Sequence, residues 1–150
     1  MDDVKIIDSF WGAYRFLSNF HPSRVAYDQV TYETVEHAYQ AAKTLDLDHR
    51  VEIACLSRPG QAKVAGKSVD LREDWDAVRL AIMHELVTAK FQHQELASLL
   101  LCTDDALLVE KNRWGDVFWG TNLDGRGANW LGRILMLVRS KLILERGERS

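Results

Sequence analysis

At 150 residues, 47% apolar and 27% charged, the chain has the makeup of a soluble protein, expected to be a single domain over residues 1–150. That length buries a core without disulfide or metal staples. A formal net charge of −3 argues against a non-specific nucleic-acid binder, which needs a basic excess, and confines any polynucleotide contact to a local patch. No stretch approaches the roughly 18 apolar residues that cross a bilayer, and the start MDDVKIIDSF lacks the basic residues and apolar run of a signal peptide. Cytoplasmic residence with no membrane partner is therefore expected. The two cysteines, Cys55 and Cys102, lie in apolar helical patterns (IACL, LLLC) and read as buried free thiols in a reducing compartment.

In chain order, residues 4–7 (VKII) and 25–32 (VAYDQVTY) have the β-branched and aromatic content of short strands. Between them, Gly12, Ser18, Asn19 and Pro22 argue for a loop, yet it carries Phe10, Trp11, Tyr14, Phe16 and Phe20. Such a density suits a segment folded over the core or over a flat ligand. Thr34 can cap a helix running from Val35 to Thr44. A second helix is expected around His49–Ser57, stopping at Pro59-Gly60, and a short third over Gln61–Ala65. Trp75, Val78, Ile82, Leu86 and Ala89 follow the 3.6-residue period of a long helix, with Asp74 as its cap. Glu95–Leu101 continues as helix, and ALLV at 106–109 reads as a strand paired with Val117–Trp119 across a turn. A Gly/Asn/Asp-rich loop over Gly120–Gly127 leads to a last helix built on Leu131, Ile134, Leu135, Val138 and Leu142, with Asn129 near its start. Helices dominate and the strands are short: the fold class is α+β.

Three stretches carry the residue types of chemistry. At about 100° per residue, Glu36, Gln40 and Lys43 share a helix wedge of about 60°, placing a carboxylate, an amide and an ammonium in line beside the apolar Val35, Ala38, Tyr39 and Ala42. That row is either a solvated ion-pair face or an acid or nucleophile row facing a pocket. Second, Asp116 is bracketed by Trp114-Gly115 and by Trp119-Gly120: glycine lets a backbone approach a ligand, and indole faces stack on planar bases. Third, the Thr121–Asn129 loop runs into a helix N-terminus, where the amides of Gly125–Gly127 and the Arg126 side chain suit a phosphate. There is no dinucleotide fingerprint, P-loop, HExxH or paired CxxC, and the five histidines have no ligand spacing, so neither metal nor cofactor is expected. His37 reads as a cap-region contact.

Together these stretches resemble the YbiA-like family, also called NADAR. The resemblance rests on Leu17-Ser18-Asn19-Phe20, then Thr34-Val35-Glu36-His37-Ala38-Tyr39-Gln40-Ala41-Ala42-Lys43, then Trp75 with Met83 and Ala89-Lys90-Phe91. It continues with Asp116-Val117-Phe118-Trp119-Gly120, Gly125-Arg126-Gly127-Ala128-Asn129 and the stretch from Leu131 to Arg139. The run Glu110–Gly115 departs from the family pattern, with Trp114-Gly115 as an addition bearing on base specificity. The resemblance implies a YbiA-like α+β fold and an N-glycosidase. It cleaves the C1′–N bond of a phosphorylated ribose, in riboflavin-pathway intermediates or in ADP-ribose attached to guanine.

Such a reaction develops positive charge on the ribose and negative charge on the leaving base, which calls for two groups: one to stabilise the sugar cation, one to supply a proton. Glu36 and Asp116 are the carboxylates within the matched motifs. Lys43 either attacks C1′ as a neutral amine or acts electrostatically. Trp75 and Trp119 are candidates to sandwich the base, with Asn19 and Gln40 bonding its edge or the ribose. Arg15, Lys67 and Arg126, with the backbone at Gly120, Gly125 and Gly127 and with Asn129, are the remaining substrate-binding candidates. Partners are a small phosphoribosyl or ADP-ribosyl substrate and, on the second activity, ADP-ribosylated nucleic acid. The alternatives are a non-catalytic reader of ADP-ribose and a nucleic-acid interaction protein using the aromatic loop.

Overall fold

The computed structural model describes residues 3–149. The early elements are β1 (Ile6–Ile7), a 3₁₀ helix (Gly12–Leu17), β2 (Val25–Tyr27) and β3 (Val30–Tyr32). Helices α1 (Val35–Ala42), α2 (Leu47–Ala54), α3 (Pro59–Ala65), α4 (Trp75–Lys90) and α5 (Gln94–Leu101) follow, then β4 (Leu107–Leu108) and α6 (Trp130–Arg149). The helix-dominated α+β class expected from the sequence is what forms. Contacts divide the chain into two compact units, one drawn from the described parts of Met1–Ser18 and Phe91–Ser150, the other from Asn19–Lys90.

In the Asn19–Lys90 unit, β2 and β3 form an antiparallel hairpin with Val25 opposite Tyr32 and Tyr27 opposite Val30. Residues 25–32 are thus two strands and not one. Asp28 and Gln29 both take positive φ (48° and 72°), the backbone of a tight primed turn. Arg50 of α2 fixes the turn by donating to Asp28 Oδ2 (2.7 Å) and to the Thr44 carbonyl (2.8 Å). Its guanidinium also lies over the Tyr27 ring.

Helix α1 begins where its cap predicts: Thr34 Oγ1 accepts from the His37 amide at 3.1 Å. The His37 ring, fully buried, reaches the Leu56 carbonyl through Nε2 (2.9 Å) and Thr34 Oγ1 through Nδ1 (2.8 Å). A carbonyl only accepts, so Nε2 carries the proton and the Thr34 hydroxyl donates to Nδ1. His37 is a structural tie, as expected. Helix α2 starts two residues before His49 because the Asp46 carboxylate accepts from the Asp48 and His49 amides. Pro59, expected as a stop, opens α3, where its fixed φ and missing N–H suit the first turn. Asp74 precedes α4 as anticipated and its carbonyl takes the Ala77 and Val78 amides, but its carboxylate pairs with Arg72 (2.6 Å).

In the other unit, β4 pairs in parallel with β1, Ile6 opposite Leu107 and Ile7 opposite Leu108. The expected partner, Val117–Trp119, is not a strand: the carbonyls of residues 117–120 instead receive the amides of Ala128, Asn129, Trp130 and Leu131 at 2.8–3.1 Å. The aromatic loop is largely a 3₁₀ helix that buries Phe16 and Leu17 beside a buried Phe10, while Trp11 stays 64% exposed. Leu131, Ile134, Leu135 and Val138 give α6 its buried face, and α6 runs well past Leu142. Both cysteines are free thiols, but exposed and not buried, since each sits at the C-cap of its helix, past the apolar stripe that suggested a core position.

Candidate active site

The candidates fall in both units. Asn19, Glu36, Gln40, Lys43, Lys67 and Trp75 belong to Asn19–Lys90; Arg15, Asp116, Trp119, Gly120, Gly125, Arg126, Gly127 and Asn129 belong to the other.

The α1 row is not a solvated face. Every residue of α1 is buried, Glu36 at 8% and Gln40 at 4% exposure, because α2, α3, α4 and the hairpin all pack on this helix. Gln40 Nε2 donates to Glu36 Oε1 at 2.8 Å. A carboxylate accepts only, so this bond fixes the amide's orientation and leaves Gln40 Oε1 as a buried acceptor without a partner. Buried polar atoms are almost always satisfied, and an orphan acceptor on this amide suits a donor brought by a ligand. Gly66 lies against this amide: a Cβ there would collide with Gln40 Oε1, so the close approach requires glycine.

Lys43 continues the row as the C-cap of α1. Burial holds its ammonium below the ordinary lysine pKa of 10.5; the Glu36 carboxylate opposes this, and Lys63 and Lys67 add to it. Its Nζ lies 5.6 Å from the Tyr39 ring centroid, and that ring meets Trp75 at 5.2 Å with a 52° tilt. Trp75 is 6% exposed, so it serves first as the buried wall of this cluster. Asn19 works through its backbone, its carbonyl accepting the Glu36 amide at 3.1 Å, while its side chain donates to Met83 Sδ (3.6 Å). Lys67 is exposed. At the C-terminal end of α1, a groove of about 530 Å³ is lined by Asp46, Asp70, Glu73 and Asp74 among others. Arg72 also lines this groove but is paired with Asp74, and the carboxylates disfavour a phosphate there. Lys63 and Lys67 lie close enough to Lys43 to act on its charge and are the cations nearer the row.

The Asp116 stretch is a rigid turn. Asp116 Oδ1 accepts from the Phe118 (3.1 Å) and Trp119 (2.8 Å) amides. Trp119 is partly buried, edge-on to Phe118 at 4.8 Å. Gly120 is backed by the Glu110 carbonyl and the Asn112 amide. Much of the expected phosphate cradle is already occupied: the Gly125 amide donates to the Asn122 carbonyl and the Arg126 amide to Asn122 Oδ1. The Arg126 and Arg15 side chains are exposed, and their guanidinium groups reach solvent, where they suit an anion. Asn129, at φ 51°, clamps β4 by donating to the Leu108 carbonyl (2.9 Å) and accepting the Glu110 amide (3.0 Å).

Tyr39 was legible as the i−4 neighbour of Lys43 but not as part of the site; Lys63, Asn112 and Asn122 act through tertiary or turn contacts that no spacing announces. Lys90 is also unannounced: its ammonium is 1% exposed, and burial pushes its pKa down to about 7. Among the described residues no cluster of His, Cys, Asp and Glu is arranged for a metal, and no helix is long and apolar enough to cross a membrane.

Fold and site define a small α+β protein with a buried carboxylate–amide pair on one helix and a half-buried lysine at its C-cap. The NADAR domain model matches residues 8–143. The chain is 40% identical over 136 residues to N-glycosidase YbiA of Escherichia coli (strain K12), covering 89% of this chain and 84% of that one. It is 38% identical over 138 residues to N-glycosidase Npun_R5314 of Nostoc punctiforme (88% of each). It is also 37% identical over 130 residues to riboflavin biosynthesis protein VVA0006 of Vibrio vulnificus, covering 85% of this chain and 35% of that one. The NMR structure of E. coli YbiA superposes with a TM-score of 0.86 at 38% identity, over 99% of this chain and 90% of that one. The chain belongs to the NADAR family.

Proposed function

We propose that this chain is a cytoplasmic N-glycosidase, residues 1–150 acting as one NADAR domain, that hydrolyses the C1′–N bond between a phosphorylated ribose and a base or amine. Support comes from relatives named N-glycosidases and riboflavin biosynthesis proteins, and from a family match that spans both compact units. The observation that carries the reading is the buried Glu36–Gln40 pair with its orphan acceptor, next to a lysine held below its usual pKa. A hydroxyl or N–H of the substrate completes Gln40. One of the carboxylates Glu36 and Asp116 lies against the sugar cation as the C1′–N bond breaks; the other manages the proton that the departing nitrogen takes up. Water then delivers hydroxide to C1′ and its proton to the base. Lys63, Lys67, Arg15 and Arg126 are the cations suited to the phosphates. Trp75 and Trp119 are the indoles suited to the base, with Asn19 at its edge and Gly120, Gly125, Gly127 and Asn129 shaping the loop.

The lowered pKa of Lys43 favours a nucleophilic variant. Its neutral amine adds to C1′ of the opened sugar, the nitrogen leaves with a proton, and water hydrolyses the resulting Schiff base. Mass spectrometry of the products from ribosylamine phosphates and ADP-ribosylated guanosine tests the activity: a released base or amine is expected, and intact substrate with bound ligand would make the protein a reader. Borohydride traps an adduct in wild type and not in Lys43→Ala if the nucleophilic variant holds; active enzyme with no adduct removes it.

A further inference from the structure

The tip Arg113–Gly115, held between Asn112 and Asp116, is a built element that the chemistry above does not use. Asn112 is 3% exposed, and its own amide donates to the Thr121 carbonyl at 2.9 Å. From that anchor its side chain grips both backbone groups of Asp116: Oδ1 accepts the Asp116 amide (3.0 Å) and Nδ2 donates to the Asp116 carbonyl (2.8 Å). Gly115 closes the turn at φ 84°. The base is tied down again where Lys111 bridges to Thr121 and pairs with Asp8 at 3.0 Å. The tip residues stand out from this frame: Trp114 is 55% exposed and Arg113 is exposed beside it.

Scattered exposed apolar residues need no explanation, but this indole has three features they lack. It is held on a backbone pinned from both ends, so little freedom is lost when a ring stacks on it. Its neighbour in sequence is an exposed arginine, which can supply charge for an anion on the same ligand. And Asp116, a proposed catalytic carboxylate, forms the far post of the same clamp. We infer that Arg113 and Trp114 form a specificity step for the substrate: the indole stacks on a planar heterocycle lying beyond the scissile bond, and Arg113 pairs with the phosphate adjoining that ring. This rests on the N-glycosidase reading and extends it from the bond cleaved to the substrate preferred. The same chemistry is offered by the adenine of an ADP-ribosyl group and by a neighbouring base in an oligonucleotide.

Binding distinguishes this inference from the activity, because it needs no turnover. Affinities of the full chain are measured for ADP-ribose, for a short single-stranded oligonucleotide and for ribose 5-phosphate, which has no ring. Trp114→Ala is expected to weaken at least one ring-bearing ligand by about tenfold or more, the range of one base–aromatic stack, with Trp114→Phe recovering most of it. Arg113→Ala weakens the same ligand and flattens its salt dependence. Ribose 5-phosphate binding stays unchanged in all three variants. Which of the two ring-bearing ligands responds identifies the source of the ring. Wild type that binds neither, a Trp114→Ala variant that binds both normally, or an equal loss for ribose 5-phosphate would overturn the inference, whatever the turnover assay shows.

Discussion

Helix α1 and the Asn112–Asn129 loop each contribute a candidate carboxylate, but they hold it in opposite ways. Glu36 sits in a buried helix, its side-chain bond running to a neighbour one turn along, Gln40, and its backbone amide taken by the Asn19 carbonyl. Asp116 sits in a turn whose geometry depends on its own side chain, since Oδ1 bridges two amides. Glu36 is thus carried by a helix whose path does not depend on its side chain, whereas the Asp116 side chain shapes the turn that carries it. Substitutions that distinguish charge from shape break or sharpen that contrast.

Among the loop substitutions the largest effect is expected at Asp116. Asn keeps an oxygen that can accept from the Phe118 and Trp119 amides, so Asp116→Asn preserves the turn while removing the charge. Turnover should fall by about three decades with unchanged thermal stability. Asp116→Ala loses both, adding a stability loss of about 1–2 kcal/mol measured by denaturant unfolding. Equal activity in wild type and Asp116→Asn would reduce Asp116 to a turn residue. Next comes the loop's packing. At Gly127, φ is 144° and a Cβ would press into the Gly120 carbonyl and the Thr121 backbone. Gly127→Ala should cost about 2 kcal/mol or more in unfolding free energy; a neutral result would show the loop to be pliable.

The smallest effect is electrostatic and belongs to α1. If the neutral Lys43 amine reacts, activity climbs with pH through its pKa, which lies below 10.5. Lys63 and Lys67 each lower that pKa by repulsion. Removing either raises it, so the rising limb of the pH–rate profile should move to higher pH in Lys63→Ala and Lys67→Ala. At saturating substrate, where a lost phosphate contact no longer limits the rate, kcat at pH 7 then drops and is recovered at higher pH. A downward shift would contradict the sign.

What was legible in the sequence follows the same divide. In α1 the helix period places Glu36, Gln40 and Lys43 on one face, and Thr34 marks the start, because helical geometry is local. The hairpin was hidden because Asp28 and Gln29 take the left-handed backbone without the Gly or Asn that usually announces it. The β1–β4 pairing joins Ile6 to Leu107, a partnership no local pattern encodes. In the loop, polar and glycine residues that suggested phosphate contact proved to serve architecture: Asn129 clamps β4, Asn122 holds the Arg126 amide, and Gly127 lets two backbones touch. Composition there announces a tight turn and a ligand site in the same letters.

The proposal stands or falls on whether the shielded acid in α1 drives glycosidic cleavage. The direct measurement is the single-turnover rate of base release from a phosphoribosyl substrate by wild type and Glu36→Gln, with circular dichroism confirming that both are folded. A fall of about three decades or more is predicted. A Glu36→Gln chain releasing base at close to the wild-type rate would contradict it.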